Sequence, residues 1–172
     1  MVRVRAPRLD DQAAFLAAVE RSRASHRPWS FPPDSPQLYR EYVTKIAADD
    51  CEGFLIETGD GDLAGFATIS QIVRAPLLSG YLGYTGFEPY MGQGIMRRGL
   101  IQILDHAFGS MGLHRIEANV QPGNERSIAL VQRLGFRREG FSPRYLMVGG
   151  VWRDHERYAI TAEEWPPPGV GP

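Results

Sequence analysis

The sequence predicts an α+β fold in three layers, a mixed, mostly antiparallel sheet with helices on both faces. Two observations lead to this prediction. Segments with the periodicity of strands and helices follow one another in the order βααβββαβαββ. Strands joined by tight turns pair as antiparallel hairpins, whereas the middle strands are separated by helices. The length of 172 residues indicates one domain over residues 1–165, followed by a Pro/Gly-rich tail over residues 166–172 that adds little to the core.

One strand and two helices are predicted before residue 50. Valines alternate with arginines over residues 2–5, which predicts a short strand. The run QAAFLAAVERSRAS predicts a helix with Asp10 or Asp11 as its N-cap. A second helix is expected over residues 36–48, with Leu38, Tyr42 and Ile46 as its apolar stripe.

A proline-rich loop joins these two helices. The segment HRPWSFPPDSP carries four prolines, which prevents a regular helix. Because Trp29 and Phe31 are costly to leave in water, we expect this loop to be ordered against the rest of the domain.

Three strands and a long helix are predicted in the middle of the chain. Residues 53–57 and 63–72 flank the turn GDGD and predict a hairpin. The next strand, over residues 81–87, contains Gly83 and Gly86, which allow another backbone or a ligand to come close. A helix is expected to begin at Gly94, with Met96 and Leu100 on its apolar face.

The remaining elements are a strand, a short helix and a hairpin. Residues 115–120 alternate cleanly, which places Glu117 and Asn119 on one face of a strand. Asn124 is a natural N-cap for a helix that ends near Leu134, and Gly135 is the expected residue beyond its end. Two final strands flank a Gly-Gly pair at residues 149–150, a two-residue hairpin signal.

Bulk composition limits the kinds of partner that we expect this protein to bind. Lys and Arg number 19 against 20 Asp and Glu, a formal net charge of −1, so we expect no direct nucleic-acid contact. Cys51 is the only cysteine, which fits a reducing compartment and a structural thiol. The sequence has no run of 18 apolar residues and no apolar signal-peptide core, so we expect a cytoplasmic protein without membrane contact.

The loop YMGQGIM, residues 90–96, lies between a predicted strand and a predicted helix. The first amides of a helix lack internal partners and carry the positive end of its dipole. Gly92 and Gly94 let these N–H groups approach a diphosphate without obstruction by a Cβ atom. A dinucleotide fingerprint would need glycine at Arg97, and a Gly-Lys-Ser/Thr run is absent. Taken alone, the Gly-x-Gly pattern favours a plain helix-initiating turn.

Five motifs in order extend this interpretation. Y-L-G-Y, M-G-Q-G-I-M, H-R-I-E-A-N-V-x-P-x-N-x-x-S, L-G-F-x-x-E-G and W-R-D-H occur between residues 63 and 160, with a weaker match around residues 26–29. Together they resemble the GNAT acetyltransferase superfamily, most closely its bacterial branch of ribosomal-protein alanine N-acetyltransferases. The resemblance implies the fold predicted above and acetyl-CoA as co-substrate. It also implies acetyl transfer to a primary amine by direct attack in a ternary complex, with a protein N-terminus as acceptor in that branch.

The resemblance implies two segments that bind the coenzyme. Its phosphate loop aligns with residues 91–96, although Met91 stands where the family has Gln or Arg. The preceding strand would admit the pantetheine arm by main-chain hydrogen bonds, and one amide there would stabilise the oxyanion. The implied coenzyme-binding residues are Thr85, Gly86, Phe87, Met91, Gly92, Gln93, Gly94, Ile95, Met96, Asn124 and Ser127.

Ser127 is the expected proton donor to the coenzyme thiolate. Many members of the superfamily carry a tyrosine where this chain has Val131. Ser127 lies one helical turn earlier and matches the serine of the resembling branch. The alternative for Ser127 is a hydroxyl that helps to cap its helix, and for Asn124 it is a plain N-cap.

An N-terminal acceptor would need little help from a base. A free α-amino group has a pKa of about 8, so about a tenth is neutral near pH 7, whereas a lysine amine at about 10.4 needs stronger deprotonation. Glu117 is the candidate base because it shares a strand face with Asn119 beside the proposed cleft. Glu139 is a weaker candidate. A solvated carboxylate is the alternative for Glu117.

The acceptor side is expected to involve four residues: Trp29, Asn119, Tyr145 and Trp152. For Trp152, burial in the core is favoured over acceptor contact. No metal is expected, because the histidines lack a ligand spacing on one element. Two competing functions stay open: a small-molecule amine N-acetyltransferase and a non-catalytic acyl-CoA-binding module. Monomer and homodimer both fit the sequence.

Overall fold

The computed structural model describes residues 1–167 and 169, and its main elements follow the predicted order βααβββαβαββ. The strands are β1 (Arg3–Arg5), β2 (Cys51–Glu57), β3 (Leu63–Val73), β4 (Ser79–Gly86), β5 (Arg115–Val120), β6 (Arg137–Val148) and β7 (Val151–Thr161). The α-helices are α1 (Gln12–His26), α2 (Pro36–Lys45), α3 (Ile95–Phe108) and α4 (Glu125–Arg133).

The strands form one seven-stranded sheet in the order β1-β2-β3-β4-β5-β7-β6. Every neighbouring pair is antiparallel except β4 and β5, which are parallel. Gly149 and Gly150 join β6 to β7 with φ angles of 59° and 79°, the left-handed pair that a two-residue hairpin turn requires. The predicted mixed, mostly antiparallel sheet is confirmed.

The parallel contact between β4 and β5 is short. Residues 79–81 pair with residues 115–117, and within the described chain the ladder ends there. Both strands continue, β4 to Gly86 and β5 to Val120. The two strands therefore diverge toward their carboxyl ends. We call the gap between them the V-shaped opening.

Helices cover both faces of the sheet, as predicted. On one face, here called the front face, α1 and α2 bury Phe15 and Tyr39 against β2, β3 and Phe87. On the opposite back face, α3 and α4 pack on the larger core, which includes Leu104 and Val131. Side chains alternate along β4, so Leu82 and Tyr84 lie on the back face while Phe87, just beyond the strand, lies on the front.

The predicted apolar stripe of α2 is wrong at one position. Tyr39 is fully buried, whereas Leu38 is 44% exposed. The Tyr39 ring lies 4.8 Å from that of Phe15, and its hydroxyl donates to the Arg8 carbonyl at 2.9 Å. This hydrogen bond lets the tyrosine enter the core and rotates α2 away from the stripe that includes Leu38. The helix also ends at Lys45 rather than near residue 48.

The predicted N-cap of α1 is also wrong. Asp11 occupies the N-cap position of α1 but its side chain makes no capping bond. Its carboxylate accepts from the Arg5 guanidinium and the Arg8 amide instead, and the hydrogen bond from Arg5 is the main cause that lowers its pKa. Phe31 is 45% exposed, but its ring edge lies against Gly149 in the hairpin turn and the Arg27 guanidinium lies 3.7 Å from its ring centroid. The predicted ordering of the proline-rich loop against the rest of the domain is therefore confirmed.

The carboxyl-terminal segment packs on the domain as far as Pro167, the second residue of the predicted tail. The Trp165 indole donates to Asp105 at 2.8 Å, and Pro167 lies against Gly135. Most of the predicted tail, residues 168 and 170–172, lies outside the described residues. No helix in the part that the structure describes is long and apolar enough to cross a membrane.

Candidate active site

The loop between β4 and α3 has the backbone of an anion cradle. Gly92 and Gly94 adopt φ angles of 77° and 73°, which favour glycine. The Arg98 amide donates to the Gly94 carbonyl at 3.1 Å, and among the described backbone bonds none takes the amides of residues 92–94. A Cβ atom built on Gly92 would meet no atom within 4 Å. The loop therefore presents unpaired amides beside open space.

Side chains of the same loop turn toward the protein. Gln93 donates through its amide to the Pro89 carbonyl at 2.8 Å, which closes the loop on itself. A Cβ atom on Gly86 would lie 3.4 Å from Met91 and 3.3 Å from Met96, and Ile95 is buried. The two methionines therefore pack against the end of β4. In this loop the backbone, rather than these side chains, is suited to an anion.

The main chain at the end of β4 corrects the predicted pantetheine contacts. The Phe87 amide donates to the Ala64 carbonyl at 2.8 Å. The Gly86 carbonyl accepts from His26 Nε2 at 2.8 Å. Because N–H directions alternate along a strand, the Thr85 amide points to β3 as well. The amides of Tyr84 and Gly86 point toward β5 and the V-shaped opening, and they replace those of Thr85 and Phe87 as candidates.

His26 is a site residue that sequence reasoning missed. Its ring is buried at the end of α1, next to Phe87, and burial lowers its pKa. Its bond to Gly86 fastens the proline-rich loop to the edge of the V-shaped opening. The weaker family match around residues 26–29 was the available signal, but it did not indicate this contact.

Ser127 contacts Tyr84, a second site residue that was not identified from the sequence. The Asn124 side chain accepts from the Ser127 amide at 3.3 Å, which confirms the predicted N-cap. The Tyr84 hydroxyl lies 2.7 Å from Ser127 Oγ, and burial raises the pKa of Tyr84 to about 12. Val131 is fully buried, so its position faces the core rather than the opening. Tyr84 belongs to the Y-L-G-Y motif, and its place on the strand face of Leu82 was the available signal.

Glu117 is bound by two arginines on the front face. Its two carboxylate oxygens accept from Arg115 at 2.9 Å and from Arg157 at 3.3 Å. Arg115 also makes two hydrogen bonds to Glu139, which hold the pKa of Glu139 at about 2. Each oxygen of Glu117 accepts from one arginine and keeps a second lone pair, so an amine proton could reach this carboxylate without displacing an arginine. The base role of Glu117 stays a prediction.

Asn119 presents a buried oxygen that the described chain does not satisfy. Its side-chain Oδ1 has no hydrogen-bond partner, and neither has the Nε of Arg157, which is its register partner on β7. The Arg157 guanidinium lies 5.7 Å from the Tyr145 ring centroid. A hydrogen bond that the Tyr81 hydroxyl donates to Tyr145, together with burial, raises the pKa of Tyr81 to about 12. The structure thus brings the predicted acceptor residues Asn119 and Tyr145 together beside β4.

The two predicted tryptophans lie in different places. The Trp29 carbonyl accepts from Gln121 at 3.0 Å, and a Cβ atom on Gly123 would lie 2.9 Å from the Trp29 indole. The proline-rich loop therefore lies against the connection from β5 to α4. Trp152 is 57% exposed opposite Met147 on the hairpin, so its expected burial in the core is wrong. The hairpin extends beyond the sheet, where a side chain finds no helix to cover it.

No group of three or more metal-ligating side chains that could hold a metal ion occurs within the described ranges. Cys51 is buried, and desolvation raises the pKa of its thiol. Such a thiol is poorly suited to act as a nucleophile.

The family follows from comparison with known proteins. The model of the acetyltransferase (GNAT) domain matches residues 2–137. The chain therefore belongs to the GNAT acetyltransferase family. The ribosomal protein uS5-alanine N-acetyltransferase of Escherichia coli is 36% identical over 113 residues, which are 66% of this chain and 58% of that relative. The chain thus matches little more than half of this relative's length.

Solved structures agree with the fold. Mycobacterium smegmatis RimJ in complex with CoA-disulfide has a TM-score of 0.88 at 35% identity, over 96% of this chain and 84% of that chain. The spermidine N-acetyltransferase SpeG of Vibrio cholerae has a TM-score of 0.77 at 21% identity, over 94% of this chain and 96% of that chain. The second likeness shows the fold alone.

Proposed function

We propose that this chain transfers an acetyl group from acetyl-CoA to a protein N-terminal α-amine, such as that of a ribosomal protein. The observation that carries the proposal is the V-shaped opening between β4, which leads into the glycine loop, and β5, which leads into α4 with Ser127 in its first turn. The RimJ structure with CoA-disulfide and the alanine N-acetyltransferase relative support the donor and the acceptor class.

The residues present fit the coenzyme. Unpaired amides at residues 92–94 and the dipole of α3 suit a diphosphate. The amides of Tyr84 and Gly86 would hold the pantetheine arm along the opening. Bound acetyl-CoA would supply an acetyl group activated as a thioester. Ser127 would then donate a proton to the departing sulfur, whose thiol has a pKa near 8.5.

The front face favours an acceptor with a single amine group over a polyamine. A buried carbonyl oxygen without a donor costs about 1–3 kcal/mol, so Asn119 would gain from the N–H of a bound amine. The nearby carboxylates of Glu117 and Glu139 are already paired with arginines. The second ammonium group of a polyamine would compete with these arginines for the carboxylates, whereas a peptide α-amine needs only one acceptor atom. Trp29 would contact the peptide from the proline-rich loop.

The function is tested by release of free thiol. Acetyl-CoA is mixed with a peptide that begins with alanine, and we expect thiol release together with a mass increase of one acetyl group on the peptide. The control is the same peptide with its N-terminus already acetylated, which should release none. Turnover of spermidine or a free amino acid without turnover of the peptide would establish the small-molecule alternative. Coenzyme binding in calorimetry without any turnover would establish the non-catalytic alternative.

The glycine loop allows a sharp test of coenzyme binding. We expect Gly92→Ala to weaken coenzyme A binding roughly tenfold, about 1.4 kcal/mol, because its Cβ atom would occupy the open space beside the loop. Gly150→Ala is the matched control, since both glycines have positive φ and no atom within 4 Å of a built Cβ. Both variants should lose about 1 kcal/mol of stability, so only the affinity separates them. Equal coenzyme A affinities of the two variants in calorimetry would contradict the proposal that the glycine loop binds the diphosphate.

Cytoplasmic location and the choice between monomer and homodimer remain predictions from the sequence. The same holds for the absence of metal and of nucleic-acid contact.

A further inference from the structure

Tyr84 and Ser127 join the two sides of the V-shaped opening. Tyr84 lies on β4 beyond the last residue that pairs with β5, and Ser127 lies in the first turn of α4. The Tyr84 hydroxyl is 2.7 Å from Ser127 Oγ and 3.2 Å from the Ser127 carbonyl oxygen. The phenol therefore faces two oxygen atoms of one residue. It can donate to the carbonyl oxygen, and either hydroxyl can be the donor in the shorter contact.

The direction of the hydrogen bond between the two hydroxyls determines where the serine proton is available. When the phenol donates to Ser127 Oγ, the serine hydroxyl must direct its own proton elsewhere. The Ser127 amide is already bound to Asn124, and within residues 1–167 and 169 the serine hydroxyl has no partner besides Tyr84. Its proton is then free to reach an atom in the opening.

Resting on the proposed function, we propose that Tyr84 is a positioning residue that orients the Ser127 hydroxyl proton toward the sulfur of the coenzyme. Nothing in the sequence motifs assigns this task to Tyr84. The phenol acts through the serine and touches no reacting atom. It stays protonated near neutral pH, since burial raises its pKa to about 12.

Protons and electrons balance without a further reactant. The amine nitrogen forms a C–N bond to the acetyl carbon, and the C–S bond breaks with its electron pair on sulfur. The sulfur takes the Ser127 proton, and the proton that the amine loses returns to the serine oxygen through water. Tyr84 keeps its own proton throughout and only holds the serine oxygen in place.

The test is Tyr84→Phe, which removes one oxygen and keeps the ring. We expect kcat to fall about tenfold, the effect of one lost hydrogen bond, with the KM for acetyl-CoA within about twofold of wild type. In a Ser127→Ala background the same substitution should have no further effect on kcat. Tyr39→Phe is the matched control, because this buried tyrosine also loses a single hydroxyl bond, to Arg8, and its kcat should stay unchanged.

Each outcome decides the inference. An unchanged kcat in Tyr84→Phe, an equal loss in the Ser127→Ala background, or failure of Tyr84→Phe to fold at assay temperature would make Tyr84 structural only and overturn it. The proposed function fails differently, by absence of thiol release from the wild-type protein across peptide and small-amine acceptors.

Discussion

Replacing Ser127 with alanine is expected to lower kcat by about one to three orders of magnitude, with coenzyme A affinity near that of the wild type. The loss stays below the upper range for general acids because a thiolate is a tolerable leaving group. The fold should hardly change. The N-cap bond from Asn124 reaches the Ser127 backbone, and Tyr84 retains the Ser127 carbonyl oxygen as an acceptor.

The matched control for Ser127→Ala is Ser35→Ala. Ser35 also lies at the start of a helix, where its hydroxyl accepts from the Leu38 amide, but it is remote from the opening. Its loss should cost about 1 kcal/mol of stability and leave kcat unchanged. Steady-state kinetics and coenzyme titration of both variants provide the measurement. A wild-type kcat in Ser127→Ala would show that this serine has only a structural role in its helix.

Replacing Gly99 with valine is expected to destabilise the domain by about 3 kcal/mol, the upper end for an overpacked core. Gly99 lies on α3 where the helix meets β2, and a Cβ atom there would lie 2.6–2.9 Å from three carbons of the Ile56 side chain. Ile56 is fully buried. For a chain of this size, we expect the midpoint of thermal unfolding to fall by roughly 6–12 °C.

Two further variants separate this clash from a general effect of valine. Gly140→Val, on β6, adds its side chain where no atom lies within 4 Å, and its unfolding midpoint should change little. Adding Ile56→Ala to Gly99→Val should destabilise less than the two single changes summed, by about 1–3 kcal/mol, because the alanine removes the carbons that the valine meets. Strict additivity in calorimetric scans would show that α3 and β2 do not meet at this point.

The order of the elements could be predicted because its signals are local. Alternation over residues 115–120 indicates β5, and a pair of glycines at residues 149–150 indicates the last hairpin. Asn124 marks the start of α4 by side-chain capping. Gly135, with a φ angle of 89°, marks its end. Each of these signals depends on neighbours within a few residues, so a single sequence contains it.

The contacts of the site could not be predicted in the same way, because they join distant parts of the chain. Tyr84 and Ser127 are 43 residues apart, and His26 and Gly86 are 60 residues apart. Periodicity says which face of a strand a side chain lies on, but not which partner it reaches. For Glu117 the pattern indicated an open carboxylate, yet Arg157 comes from β7, a strand that lies 40 residues further on.

The V-shaped opening also concerns stability. Three residue pairs between β4 and β5 are the parallel seam that joins two antiparallel half-sheets, β1 to β4 and β5 to β7. A ligand in the opening touches both halves only while they are assembled, so it is lost when either half unfolds. For a chain that binds coenzyme A there, thermodynamic linkage adds the binding free energy to that of unfolding, about 2.7 kcal/mol at a hundredfold excess over Kd. The co-substrate would thus make unfolding of the two half-sheets more cooperative.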